Sequence, residues 1–208
     1  VCMKENGDIY LSAEAANQLR IEYWKRFGAT LLGISKVLDQ RARDFLEAAH
    51  RFHDLKSLLS AERGLPVLFR KLPGRKVLLT NSAYRYSADI LKLLGVHQFF
   101  EKHIAIESMR VFGKFEPKPS GKFFRKLLAM LKVRPEDCVL VEDNIHILKK
   151  AKAMGMKTVL VTRYLNRGRF SQHSYPYPSG KRRAGRPAFI DLKMTSVRRL
   201  THYLERFC

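Results

Sequence analysis

The chain has 208 residues, with 40 Lys and Arg against 19 Asp and Glu, a formal net charge of +21, and 46% hydrophobic residues. That length carries one sizeable core, or a core with a smaller appended domain. No apolar run reaches the roughly 20 residues that cross a bilayer, the N-terminus has no stretch of signal-peptide type, and Cys2, Cys138 and Cys208 lack metal or disulfide spacing, which points to reduced thiols in a cytoplasmic protein.

The first third reads as helical. Ser12 is placed to cap a helix that carries Glu14 in its first turn and runs through Tyr23 and Trp24. Gly28 and Gly33 bracket a short second helix, and Asp44–His50, Leu55–Ser60 and Leu65–Leu72 are further helical pieces, the last ended by Pro73-Gly74. At Arg75 the pattern changes. Val77-Leu78-Leu79 is a short apolar run of buried-strand type, followed by Thr80-Asn81-Ser82 and a helix from Tyr84 to Leu94 that Gly95 closes. Ile104-Ala105-Ile106 is a second strand, Pro119 opens a helix to Leu131, and Cys138–Val141 is a third strand with a helix to Met154 behind it. Thr158–Val161 is a fourth strand. Strands alternating with helices predict a parallel α/β sheet. From Arg163 to Ile190 there are seven Lys and Arg and no acid, which predicts a flexible basic loop. Ala188–Ile190 is a last short strand, and Ser196 caps a helix to Arg206.

Three polar clusters fall at or just beyond predicted strand ends, where parallel α/β sheets bind ligands. The Thr80 hydroxyl and the amides after it can hold a phosphoryl oxygen at a helix N-terminus, or simply cap that helix. Lys118 sits between Pro117 and Pro119, and a stiff loop can aim its ammonium at a phosphate; the plainer reading is one surface lysine among many. Glu142-Asp143 follows an apolar run. Adjacent carboxylates there are costly to desolvate without a cation, and magnesium is held by one or two carboxylates with phosphate and water. The alternative is that Asp143 or Asn144 caps the next helix.

In their order and placement, Thr80-Asn81, Lys118-Pro119 and Glu142-Asp143 resemble the second, third and fourth motifs of the haloacid dehalogenase superfamily. Within it, Glu22–Leu31, Leu79-Thr80-Asn81, Lys118-Pro119 and Gly155–Thr158 resemble the pyrimidine 5′-nucleotidase-like group. The resemblance implies an α/β Rossmann-like core over 75–162 under a helical cap over 1–74, with 163–187 a basic loop and 188–208 returning to the core. It implies an Mg2+-dependent phosphomonoesterase acting on a small phosphorylated substrate, possible nucleotides included. Thr80, Asn81 and Lys118 would bind phosphate, Glu142 and Asp143 the metal, and Tyr23, Trp24, Arg26 and Thr30 would be the cap's substrate contacts, the aromatics having helix packing as their plainer role.

The resemblance also implies a nucleophilic Asp-x-Asp after a first core strand, and the sequence contains no Asp-x-Asp. The expectation is therefore an N-terminally truncated chain, from a late start or a degraded gene, in which a central strand is missing and its apolar neighbours are exposed; a shortened inactive relative is the competing expectation. Two other functions stay open: a non-catalytic phosphate- and metal-binding protein, and a nucleic-acid binder using the 163–186 basic segment, whose affinity would fall steeply with salt. Sequence is silent on oligomeric state and predicts no membrane association.

Overall fold

The computed structural model describes residues 2–3, 9–10, 12–27, 54–163 and 187–204. The chain divides into two compact units, Val1–Arg51 and Phe52–Cys208. In the first unit, β1 (Cys2–Met3) pairs antiparallel with β2 (Ile9–Tyr10), and α1 spans Ala13–Phe27. Ser12 Oγ accepts from the Ala15 amide at 3.2 Å, the expected cap. Trp24 and Arg26 lie on α1 with side chains outside the described set, and Thr30 and the Asp44–His50 helix lie outside the described residues.

The second unit is an α/β core. Short α2 (Leu55–Leu58) and α3 (Leu65–Lys71) lead into β3 (Val77–Leu79), α4 (Tyr84–Leu93), β4 (Lys102–Ile104), the hairpin β5 (Arg110–Val111) and β6 (Lys114–Phe115), α5 (Gly121–Leu131), β7 (Val139–Glu142), α6 (Ile145–Lys152), β8 (Lys157–Val161), β9 (Leu192–Met194) and α7 (Leu200–Leu204). β3 pairs with β4, and β7, β8 and β9 pair in that order; every one of these ladders is parallel. Among the described residues β3 and β7 are not hydrogen-bonded to each other.

Alternation along the strands sorts the core into layers. Val139, Val141, Val159, Val161, Leu192 and Met194 face α3 and α7, meeting Leu68, Leu72 and Leu200. On the opposite face Leu140 and Cys138 meet Phe124 and Leu128 of α5 and Ile147 and Ala151 of α6. β8 is the central strand of its sheet, and Thr158, Val159 and Leu160 are each fully buried. Helix α5 also reaches the other sheet: Phe123 and Leu127 pack with Val77, Leu79 and Ile104. Its Phe124 is 1% exposed, a site where truncation to alanine ordinarily costs about 3–5 kcal/mol.

Several expectations shift. Helix α3 packs on the β7–β9 sheet, within the compact unit that begins at Phe52. The strand expected at 104–106 is Lys102–Ile104, because Ile106–Ser108 turns as a 3-10 helix. The strand expected at 188–190 is Leu192–Met194; Ile190, 1% exposed, plugs the core from a turn. Ser196 does cap, accepting from the Arg198 amide at 3.1 Å, and a 3-10 turn precedes α7.

The β5–β6 hairpin turns through Phe112 (φ 49°) and Gly113 (φ 77°). Positive φ at both central residues suits Asn-Gly, and a bulky side chain is strained there. Phe112 is also 98% exposed, so no packing offsets that strain. Phe112→Asn should therefore stabilise the fold by about 1 kcal/mol, measured as a higher urea midpoint at unchanged slope.

Candidate active site

Three chain segments arrive together at the carboxyl ends of the parallel strands. Thr80 follows β3, and its amide still bonds to Ile104 O at 3.0 Å, so its position is fixed by the ladder. Its Oγ1 accepts from the Ser82 amide at 3.1 Å, closing a tight turn before α4 and leaving the hydroxyl proton to donate outward. Asn81 then makes a two-point contact: Nδ2 donates to Lys118 O at 2.9 Å, and the Lys118 amide donates to Oδ1 at 3.0 Å. Through these two bonds the Asn81 side chain clamps the lysine loop.

Pro117 is buried, the Lys118-Pro119 bond is cis, and Ser120 caps α5 by accepting from the Phe123 amide at 3.4 Å. The helix starts at Gly121, two residues after the proline expected to open it. Ser120 Oγ also donates to Glu116 Oε2 at 2.5 Å. Lys118 is 8% exposed overall, and its ammonium donates to Glu142 Oε2 at 2.6 Å.

The acidic pair at the end of β7 divides its work. Both Glu142 oxygens are engaged, Oε2 by Lys118 and Oε1 by the Asp143 and Asn144 amides at 3.1 and 3.2 Å. Burial raises the Glu142 carboxyl, but a hydrogen bond with Asp143 and the Lys118 ammonium outweigh it and hold the group below its ordinary range. Asp143 goes the other way. Crowding by protein atoms, then the hydrogen bond and charge of Glu142, push it up to about 7. Its residue surface stays exposed, so water screens part of this effect. Helix α6 is capped by Asn144, whose Oδ1 accepts from His146 and Ile147 amides at 2.9 and 3.4 Å. Asp143 is thereby released from capping. A carboxylate that resists ionising beside a second acid is suited to a cation, with Glu142 restrained behind it; among the described residues no group of three metal-ligating side chains gathers.

The structure thus brings together Thr80, Asn81, Lys118, Glu142 and Asp143. Tyr23 is 9% exposed on α1 in the other unit, in keeping with a packing role.

A family model for haloacid dehalogenase-like hydrolases matches residues 6–155. The chain belongs to that family. A glyceraldehyde 3-phosphate phosphatase of Pyrococcus furiosus is 28% identical over 146 residues, 66% of this chain; the match spans 55% of the relative, so this chain covers about half its length. Two solved structures share the family's fold. A phosphatase from Thermococcus onnurineus aligns with a TM-score of 0.52 at 18% identity, covering 90% of this chain and 87% of that one. The L-2-haloacid dehalogenase of Xanthobacter autotrophicus gives 0.52 at 16% identity, covering 91% and 92%.

Two outcomes follow from this geometry. Lys118→Met strands a carboxylate that is only 11% exposed, and should cost about 3 kcal/mol of unfolding free energy; Lys118→Met with Glu142→Gln should cost clearly less than the two single changes summed, in a urea-melt double-mutant cycle. Asp143 carries a folded pKa above its ordinary 3.8, so its contribution is full below that value and is lost as pH rises through about 7. The melting temperature of metal-free protein should fall from pH 5 to pH 8 (about the range over which the group titrates), and Asp143→Asn should flatten that slope.

Proposed function

We propose that this family member carries the phosphate- and magnesium-binding part of a phosphomonoesterase site for a small phosphorylated metabolite, a pyrimidine nucleotide being one such substrate. The observation that supports it is the convergence of Thr80, Lys118 and the Glu142-Asp143 pair at one end of the parallel strands, with Lys118 fixed by a buried ion pair. The Thr80 hydroxyl donates to a phosphoryl oxygen. The Lys118 ammonium, which has three donors and spends one on Glu142, neutralises charge on the same group. Asn81 holds the lysine's backbone in place for this. Asp143 would hold Mg2+, which when bound neutralises the phosphoryl group and orients it. The name of the Pyrococcus furiosus relative, a phosphatase of a three-carbon phosphate, agrees with a small phosphorylated substrate.

A second reading has its own support. No Asp-x-Asp occurs in the 208 residues, so the covalent route through an aspartyl-phosphate has no attacking group of that pattern. On that reading the chain binds phosphate with Mg2+ and turns nothing over. Both readings predict magnesium-dependent binding of inorganic phosphate by calorimetry, weakened about tenfold or more by Thr80→Val and abolished by Asp143→Ala. Phosphate release from a panel of sugar phosphates and nucleotides separates them, since only the enzyme gives turnover. If Mg2+ changes neither phosphate affinity nor melting temperature, both readings fail.

A further inference from the structure

The outward faces of α5 and α6 carry the same pattern. In α5, Phe123, Phe124, Leu127 and Leu128 are buried, so Lys122, Arg125, Lys126 and Ala129, at spacings of three and four, form one exposed stripe. In α6, Ile147, Leu148 and Ala151 are buried, and His146, Lys149, Lys150 and Ala153 form the matching stripe. Neither helix contains an acid. The two helices are neighbours: Phe124 and Leu128 pack with Ile147 and Ala151, and the Lys150 side chain crosses Gly121, which has no Cβ to obstruct it. Among the described residues, the only carboxylate that pairs with either stripe is Glu116, 3.5 Å from the Lys122 ammonium.

The β5–β6 hairpin borders the α5 stripe. Val111 packs into the cluster of Phe123 and Leu127, and the Lys126 ammonium donates to Arg110 O at 2.7 Å. Arg110 braces the turn: its Nη1 donates to Gly113 O at 2.9 Å, and its guanidinium lies 3.7 Å from the centre of the Phe115 ring. Exposed Arg110 and Lys114 flank the apex, where Phe112 stands 98% exposed at φ 49°. Fold stability gives no reason for a phenyl ring there, since it adds strain and gains no packing. A strained residue that the fold does not need is an observation that points to function.

We propose that this surface binds a single unpaired strand of nucleic acid, its phosphates along the two basic stripes and one base stacked on Phe112. Lysine and arginine neutralise a phosphate backbone whatever its sequence, and an exposed ring stacks on any base. The strand must be unpaired, because a base inside a duplex offers no free face to the ring. The net charge of +21 adds attraction at longer range. An anionic membrane is the poorer fit: a lone phenyl ring inserts less apolar surface than a single myristoyl chain, which itself attaches only marginally. An acidic polypeptide matches the charge but has no planar face to offer the ring.

The test uses the full chain and fluorescent single strands of about 12 nucleotides, oligothymidylate in one arm and oligouridylate in the other. Saturable binding of at least one is expected, and it should persist without Mg2+, which separates it from the candidate active site. Phe112→Asn should weaken that binding at least about fivefold while raising the urea midpoint, so the loss is not unfolding. Phe112→Trp should bind at least as tightly as the unaltered chain, and affinity for a duplex should not change with either variant. Affinity should fall with salt, and Arg125→Gln with Lys149→Gln should reduce the slope of log affinity against log salt by roughly 1.4, two phosphate contacts' worth. The proposal is overturned if neither strand binds, if Phe112→Asn binds as tightly as the unaltered chain, or if that double change leaves the slope unmoved. It is equally overturned if polyglutamate or phosphatidylserine vesicles bind with the same dependence on Phe112.

Discussion

The ion pair between Lys118 and Glu142 is the contact on which the rest of the candidate site depends. It joins a loop after β6 to the end of β7, two segments that share no ladder, and it does so where both side chains are nearly dry. Removing two charges from water is expensive, and further hydrogen bonds offset part of the cost: the second Glu142 oxygen takes two backbone amides, and Asn81 fixes the lysine's main chain. The same satisfaction of Glu142 leaves Asp143 as the acid with capacity to spare. One carboxylate holds the cationic side chain, its neighbour is held back from ionising, and the division between them comes from burial and hydrogen bonding rather than residue type.

Much of this was legible in the sequence because local patterns carried it. Val77-Leu78-Leu79 ahead of Thr80, and the apolar run ahead of Glu142-Asp143, announce buried strands with polar ends, and both lie where expected. The clamp by Asn81 was not legible, since it joins residues 37 positions apart and uses a side chain equally at home as a helix cap. The β5–β6 hairpin was missed for a different reason: its strands are two residues long, and Phe-Gly is not the pair that its turn geometry favours. At 188–190 an apolar cluster suggested a strand, yet Ile190 serves as a core plug and the ladder begins two residues later. Apolar pattern reports burial more faithfully than it reports the element that achieves it.

Family membership and local geometry bear on different questions. The family match and the shared fold establish the scaffold. They do not choose a substrate, and relatives with the same scaffold include both a phosphatase and a dehalogenase by name. This chain's own arrangement adds a lysine already paired with Glu142 and an acid, Asp143, pushed up to about 7. Each is a property of the packed second unit.

The tie between Thr158 and Asp191 has a bearing on how the chain can change. The Asp191 carboxylate accepts from the Thr158 amide at 2.8 Å and from the Lys152 ammonium at 2.5 Å, while the Asp191 amide donates to Thr158 O at 3.1 Å and the Thr158 hydroxyl to Phe189 O at 2.7 Å. These bonds fix the approach to β9 against the start of β8, independently of the basic residues farther back in the connection. Closing a longer connection costs only about 0.6 kcal/mol for each doubling of its length. The register of β9 is thus insulated from the length of the basic segment, which makes that segment a place where the chain can gain or lose residues while the sheet keeps its alignment.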